Sequence, residues 1–280
     1  MTAMRSLIAD LAASAAEGLR EILAHRGLCL RLARLEVLRR YRGTVLGLAW
    51  SFLTPLSLLL VYTFAFSVVI RIRWEGGSTG SHAEYALALF AGLLAFDLFS
   101  ECVKAAPGLV PSHPGYVKRV VFPLSVLPLV NLLSALLHSL IGLLILALLS
   151  LFVLGRAPAS ILLAPLLYAP LVLLALGISY LLAAAGVFVR DLSPAVSLAT
   201  QLLFFLTPVF YPVSAVPGGL RILLYLNPLT TIVEEFRNVL LWGKPLSLLP
   251  LLSVTILGAL VLAAGLAFFT RTRRHFADLL

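Results

Sequence analysis

Carboxylates in or beside apolar stretches are the side chains of this sequence best suited to catalysis. Asp97, Glu101, Glu234 and Glu235 meet that description, and acidic residues within membrane-type segments are candidates for functional residues. A membrane-embedded glycosyltransferase or acyltransferase would need such groups. Asp97 and Glu101, however, stand near the end of their apolar run, with Lys104 one helical turn from Glu101. That pattern favours an interfacial helix end with an ion pair.

No motif for phosphate or metal chemistry accompanies these carboxylates. Gly243-Lys244 is followed by Pro245, whereas a phosphate-binding loop needs Ser or Thr there and an earlier glycine at fixed spacing. The sequence contains no HExxH motif and no nucleophile elbow, and its histidines lack metal-ligand spacing. They are His25, His82, His113, His138 and His275. We therefore expect no metal site, no bound cofactor and no hydrolase activity. If the chain formed a pore, a separate ATPase would have to supply its energy.

The composition is that of an integral membrane protein. The 280 residues are 61% hydrophobic and 12% charged, and the mean hydropathy is +1.06. A soluble domain of this length carries about twice that share of charged residues. The net charge of +9 does not indicate nucleic acid, because the basic residues lie at the ends of apolar runs. Anionic lipid headgroups are the expected partner.

Six apolar stretches are long enough to cross a bilayer. A hydrocarbon core of about 30 Å needs roughly 20 residues in a helix, and lipid offers no partners to unpaired backbone amides, so each span must be helical. The predicted spans are about 44–70, 85–104, 120–154, 160–189, 194–210 and 247–269. The sequence thus predicts an all-α integral membrane protein with a six-helix domain at 43–270.

The distribution of positive charge predicts the orientation. Of the 21 Lys and Arg residues, 15 fall on the predicted inner side and six on the outer side. The outer six are Arg71, Arg73, Arg156, Arg221, Arg237 and Lys244. Since cytoplasmic loops carry the excess of positive charge, both termini are predicted to be cytoplasmic, including the tail at 271–280.

Residues 1–42 are predicted to be a cytoplasmic segment that contains an amphipathic interfacial helix. Ile22–Arg42 is rich in Leu and Arg, and we favour a helix on anionic lipid over a solvated basic arm. Its last basic residues, Arg39, Arg40 and Arg42, precede the first span and are expected to contact lipid headgroups.

The stretch 211–246 is apolar but too broken to cross the membrane once. Asn227-Pro228 is a helix start, since Asn caps free amides and Pro fits the first helical position. A short amphipathic helix to about Trp242 is expected to follow. Non-helical backbone at membrane depth is tolerated only against protein or water. The sequence therefore predicts a re-entrant external element between the fifth and sixth spans.

Aromatic residues concentrate in the first and fifth spans. Tyr62 and Phe66 are four residues apart and share a helix face, and a second group lies at the same predicted depth. That group is Phe204, Phe205, Phe210 and Tyr211. The six are candidates for the substrate path, because flat uncharged rings stack on the C–H faces of sugars. The alternative is that they face lipid or belong to the aromatic belt at the membrane–water interface.

Several stretches together resemble the membrane subunit of type 2 ABC exporters, specifically the Wzm-like permeases for O-antigen, capsule and teichoic-acid polymers. The most specific are RYRGTVLGLAW at 40–50, KRVVFP at 118–123 and LNPLTTIVEEFR at 226–237. The resemblance covers the chain from about residue 30. It implies six transmembrane helices, a homodimeric permease in the bacterial inner membrane, and an ATPase dimer that binds ATP and magnesium. It also implies a lipid-linked glycan substrate, and that the first and fifth spans line the path.

The resemblance further implies that the loop 105–119 docks on the ATPase, with Tyr116, Lys118 and Arg119 as contact candidates. Lys118 and Arg119 have the alternative of reaching lipid headgroups. Prolines at 107, 111 and 114 indicate a short docking helix. The competing functions are an ABC permease for a small hydrophobic drug or lipid, which the 39–71 match and the broken 211–246 element disfavour, and the membrane enzyme considered above.

Overall fold

The computed structural model describes residues 2–72, 74, 81–117, 122–155 and 159–279. Within these residues the chain is 84% helical and contains no strand. Five helices in the described part of the chain are long and apolar enough to cross a membrane. This confirms the predicted class of an all-helical integral membrane protein.

The N-terminal segment forms two helices rather than one. Helix α1 (Thr2–Ala24) and helix α2 (Arg26–Tyr41) are separated by His25, whose backbone leaves the helical region. On α1, a Cβ at Gly18 would lie 3.0 Å from the Thr270 side chain, so α1 packs closely along the last long helix. Helix α2 instead packs through Cys29 and Ala33 on the start of the third span.

The first span is an exposed helix with a changed pitch. Helix α3 (Trp50–Tyr62) continues as a π-helical segment, Thr63–Val69. The residues before it, which the sequence places at the start of the span, form a turn in which Gly43 and Gly47 have φ values of +84° and +53°. These are left-handed conformations that glycine adopts without strain, so the span begins later than predicted.

Helix α4 (His82–Ala105) is the centre of the fold and is buried along most of its length. After the short helix α5 (Pro114–Val117), helix α6 (Val126–Leu154) packs against it. A Cβ at Gly142 of α6 would lie 2.2 Å from the Leu94 side chain of α4. The missing side chain therefore permits close contact between the two helices.

Helix α7 (Ala164–Phe188) and helix α11 (Leu248–Thr272) form the most extensive helix pair. A Cβ at Gly177 would lie 2.5 Å from the Leu262 backbone nitrogen, and a Cβ at Gly265 would lie 2.3 Å from the Gly177 carbonyl oxygen. Small residues allow membrane helices to bring their backbones together in this way. Four-residue helix α12 (Phe276–Leu279) closes the chain.

Helix α8 (Leu192–Leu206) is shorter than the predicted fifth span. It ends where Thr207 turns extended, because the ring of the following Pro208 disfavours the helical region for the residue before it. Phe210 and Tyr211 therefore lie beyond the helix, in the turn that follows it. Helices α9 (Gly218–Leu226) and α10 (Pro228–Leu240) follow.

The predicted helix start at Asn227-Pro228 is confirmed. Pro228 is the first residue of α10, and the Asn227 side-chain oxygen accepts a hydrogen bond of 3.0 Å from the backbone amide of Leu229. The Asn227 side-chain nitrogen donates to the Thr207 hydroxyl at 2.9 Å, which ties the new helix to the end of α8.

Candidate functional site

The structure brings five of the six predicted path aromatics into one ring cluster. Phe210 is its centre and stacks on Phe66 with ring centroids 4.5 Å apart, while Tyr62 meets it edge-on at 5.2 Å. From α8, Phe204 and Phe205 contact Phe210 at 4.8 and 5.9 Å. The first span and the region around the end of α8 are therefore joined by aromatic contacts.

Tyr211 belongs to the cluster by a different contact. Its hydroxyl donates a hydrogen bond of 2.9 Å to the Phe205 backbone carbonyl, which fixes the turn after α8. Phe205 itself is 57% exposed, whereas Phe210 is buried. The cluster thus has a buried base and an accessible edge, and its role in transport stays a prediction.

Arg237 of α10 holds the broken segment in place and is only 1% exposed. Its Nε donates to the Ala88 carbonyl at 2.8 Å, and its two terminal nitrogens donate at 2.6 Å to the carbonyls of Pro208 and Val209. A fourth group, the Glu234 carboxylate, pairs with Nη1 at 2.9 Å. One guanidinium therefore satisfies backbone carbonyls from both α4 and the turn that carries Phe210.

The surroundings of Arg237 complete the same assembly. Its guanidinium lies 4.2 Å from the ring centroid of Trp74. A Cβ at Gly92 would lie 2.4 Å from the Nη2 atom of Arg237, so α4 needs glycine there. The Tyr85 hydroxyl donates to the Phe210 carbonyl at 2.8 Å.

The sequence counted Arg237 among the outer-side charges and did not indicate that it is buried. A usable signal was present, because Glu234 and Arg237 are three residues apart on an amphipathic helix inside an apolar stretch. A paired charge there is more consistent with a buried structural role than with a loop. The hydrogen bond to Ala88, which is 149 residues away, could not be predicted from the sequence.

A groove of about 450 Å³ opens beside the aromatic cluster between α3, α4 and α8. Its size is in the roughly 300–1,000 Å³ range of small-molecule sites. Tyr62, Phe96 and Phe204 line one end. The polar lining residues follow toward the end of α4 and the start of α8, and they are Asp97, Ser100, Lys104, Ser197, Thr200 and Gln201.

Asp97 also lines a second cavity, of about 520 Å³, between α3, α4 and α6. Glu101 and His138 line this cavity as well. Asp97 is therefore accessible on both sides of the first span. The interpretation of Asp97 as part of an interfacial helix end did not anticipate this position. Within the described residues no group of three metal-binding side chains is arranged to hold an ion.

Tyr116, the described member of the predicted ATPase-contact set, stacks between two other rings. Its ring is 5.3 Å from His113 and 4.2 Å from Phe122, nearly parallel to both. It lies in the four-residue helix α5, which begins at Pro114 as the prolines indicated. Lys118 and Arg119 lie outside the described residues.

The basic residues before the first span are placed on the surface. Arg39 pairs with Glu36 at 3.6 Å, and both side chains are exposed. Arg42 is exposed at the end of α2, whereas the side chain of Arg40 is outside the described part. Their predicted contact with lipid headgroups stays a prediction.

A polar network joins both ends of the chain to the rest of the fold. Arg273, after α11, pairs with Glu21 and, at 2.7 Å, with Glu17 of α1. Glu21 also accepts a hydrogen bond of 2.9 Å from the Ser125 hydroxyl, and the Tyr180 hydroxyl donates to the Ser125 carbonyl at 2.6 Å. The sequence contained the charges, but their pairing across some 250 residues could not be read from it.

The fold and the groove define a class of protein: a multi-pass membrane protein with a partly polar groove between its helices and no nucleotide-binding motif in its sequence. Residues 28–241 match the family model of the ABC-2 type transporter, so the chain belongs to that membrane-subunit family.

Curated relatives match nearly the whole chain. An O-antigen export system permease protein RfbA from Myxococcus xanthus is 29% identical over 92% of this chain and 97% of its own length. A permease of the same name from Klebsiella pneumoniae is 29% identical over 86% of this chain and 90% of its own length. The polysialic acid transport protein KpsM of Escherichia coli is 23% identical over 86% and 91%.

Proposed function

We propose that this chain is the permease subunit of an ATP-driven exporter that moves a lipid-linked polysaccharide across the bacterial cytoplasmic membrane. The observation that carries the proposal is the match over 86–92% of the chain to permeases named for O-antigen and polysialic acid transport. The aromatic cluster and the polar groove beside it supply surfaces suited to sugars.

The permease crosses the membrane six times, with α8 as the fifth span. Its 15 residues extend about 22 Å at 1.5 Å per residue, which is less than a hydrocarbon core of about 30 Å. The turn after α8 completes the crossing, and Arg237 satisfies its carbonyls as lipid could not. Helices α9 and α10 form the re-entrant element on the outer side, and both termini are cytoplasmic.

The chain works as a homodimer with an ATPase dimer. The sequence has no phosphate-binding loop, so ATP and magnesium bind the partner subunit. The loop that contains Tyr116 docks on that partner, together with Lys118 and Arg119. The stacked rings of His113, Tyr116 and Phe122 give this loop a rigid surface through which nucleotide-driven motion reaches α4 and α6.

The aromatic cluster lets the polymer slide. A hydrated sugar chain held by a tight charged site would stop, whereas ring faces stack on sugar C–H groups and leave the hydroxyls to water. Phe205 and Tyr62 provide the accessible faces, and Phe210 supports them from within. The cluster thus forms an aromatic collar on the path, and the re-entrant helices α9 and α10 close this collar at rest.

The test is deletion of the gene followed by analysis of lipid-linked glycans. We expect a glycan to accumulate inside the cell and to disappear from the surface, and we expect the wild-type gene to reverse both changes. Unchanged surface glycan, with accumulation of a small hydrophobic compound instead, would contradict the proposal.

A further inference from the structure

Three polar side chains in the groove have no partner of their own. Asp97, Ser100 and Gln201 form no hydrogen bond and no ion pair within the part of the chain that the structure describes. Ser100 is only 7% exposed. Asp97 and Gln201 are instead exposed to the groove. Polar groups that face an apolar ligand would lose hydrogen bonds to water without replacement, so a polar ligand would complete this groove.

The spacing of these residues aims them at one space. On α4, Asp97 and Ser100 are three residues apart, and on α8, Ser197 and Gln201 are four apart, so each pair shares a helix face. The Ser197 hydroxyl donates to its own helix at Ser193, and Thr200 likewise donates to Val196 at 2.6 Å. Their oxygens still accept hydrogen bonds from the groove.

We propose that Asp97, Ser100 and Gln201 form a sugar-binding subsite of the transport path, next to the aromatic collar. The Asp97 carboxylate accepts from neighbouring sugar hydroxyls, and the Gln201 amide both donates and accepts. Phe96 and Phe204, whose rings are 4.8 Å apart, cover the apolar face of the ring. This inference rests on the proposed function and names the part of the path that recognises the substrate.

The lining chemistry fits a sugar better than other ligands. The groove has one carboxylate, Asp97, and one ammonium, Lys104, so it has no net charge to attract a simple ion. An acyl chain or an apolar drug would offer no hydrogen bonds to Asp97, Ser100 and Gln201. A sugar ring has a hydroxyl edge and a C–H face, and the groove offers hydrogen-bond groups and aromatic rings in adjacent positions.

The subsite has a consequence for selectivity. Aromatic stacking tolerates many sugars, whereas a site built for hydrogen bonds strongly rejects a ligand that leaves those groups unpaired. The subsite therefore selects the substrate, and the aromatic collar then allows the selected polymer to move.

The first test is export by substituted permeases in the deletion strain. Asp97→Leu and Gln201→Leu should each lower surface glycan about tenfold, which is the effect of losing one or two hydrogen bonds. Asp97→Asn should recover most of the loss, because the amide keeps a hydrogen-bond acceptor at the same place. Asp191→Leu, an exposed carboxylate at the start of α8 and outside the groove, is the matched control and should export normally.

The second test does not depend on the export rate. With Cys29 and Cys102 replaced by Ala, a single cysteine at Gln201 is modified by a water-soluble thiol reagent in cells with and without glycan synthesis. Synthesis should slow modification at position 201 and leave unaffected a control cysteine at Asp191, which is exposed at the start of α8 and outside the groove.

The outcomes separate the two proposals. If wild-type permease does not restore surface glycan, the proposed function fails. If it does restore glycan, but both Leu variants export normally or position 201 is not protected, the subsite alone is refuted. If a Leu variant does not reach the membrane, its export is not informative, and the cysteine protection result decides the proposal instead.

Discussion

Replacing Arg237 with Met tests whether this buried guanidinium holds the segment between α8 and α10. The substitution keeps much of the apolar side chain and removes the charge. It leaves the carbonyls of Ala88, Pro208 and Val209 without their donor, and Glu234 without its cation. Removing one partner of a buried charged network costs about 3–5 kcal/mol, a large share of a typical stability of about 5–15 kcal/mol.

The assay is reversible unfolding of the purified permease in mixed detergent and SDS micelles, followed by tryptophan fluorescence. Arg237→Met should lower the free energy of unfolding by about 3–5 kcal/mol. Arg237→Lys should recover only part of it, because an ammonium lacks the planar fork that serves several carbonyls at once. The control is Arg221→Met, since Arg221 is exposed and donates to the nearby backbone carbonyls of Val216 and Ser214, and it should cost less than about 1 kcal/mol.

A free energy of unfolding of Arg237→Met within about 1 kcal/mol of the wild-type value would refute the proposed role of Arg237. Equal losses for the Met variants of Arg237 and Arg221 would also refute it, since burial would then not distinguish them.

Three further predictions follow from the packing, the inner network and the aromatic cluster. Gly177→Ala should destabilise by about 1–3 kcal/mol because its methyl group meets the backbone of α11, whereas Gly218→Ala, at an open position, should be neutral in the same unfolding assay. Arg273→Gln should release α1 from α11 and speed proteolysis near residue 20, and Arg274→Gln should not; equal digestion would exclude the clamp. Phe205→Ala should lower glycan export with normal membrane levels, because this ring is exposed, and unaltered export and chain length would remove it from the path.

The spans could be predicted from sequence because they depend on composition over about 20 residues. A charge-free run such as 126–154 has no alternative to burial in lipid or protein. Local signals were equally predictable. The cap of α10 at Asn227-Pro228 could be predicted because its hydrogen bond joins residues only two positions apart. The end of α8 was misplaced, although Pro208 was visible, because apolar residues continue past it.

The candidate site was partly predictable for a similar reason. Ring type and helical spacing brought Tyr62 and Phe66 together, and Phe210 joined them despite lying in a turn. The burial of Arg237 and the groove position of Asp97 could not be predicted, because their surroundings come from distant helices. Arg237 is buried only once α4 supplies Ala88, and Asp97 opens into a groove that exists only when α8 packs beside α4.

The most direct test of the account is photo-crosslinking from the aromatic cluster to the polymer. A benzoylphenylalanine at Phe205 should yield permease adducts that react with antibody to the exported glycan, and only when glycan synthesis is active. The control is the same group at Phe152, an aromatic on α6 that is 83% exposed and away from the cluster, which should give no adduct. Equal adducts at both positions, or none at Phe205 while export proceeds, would contradict a path between α3 and α8.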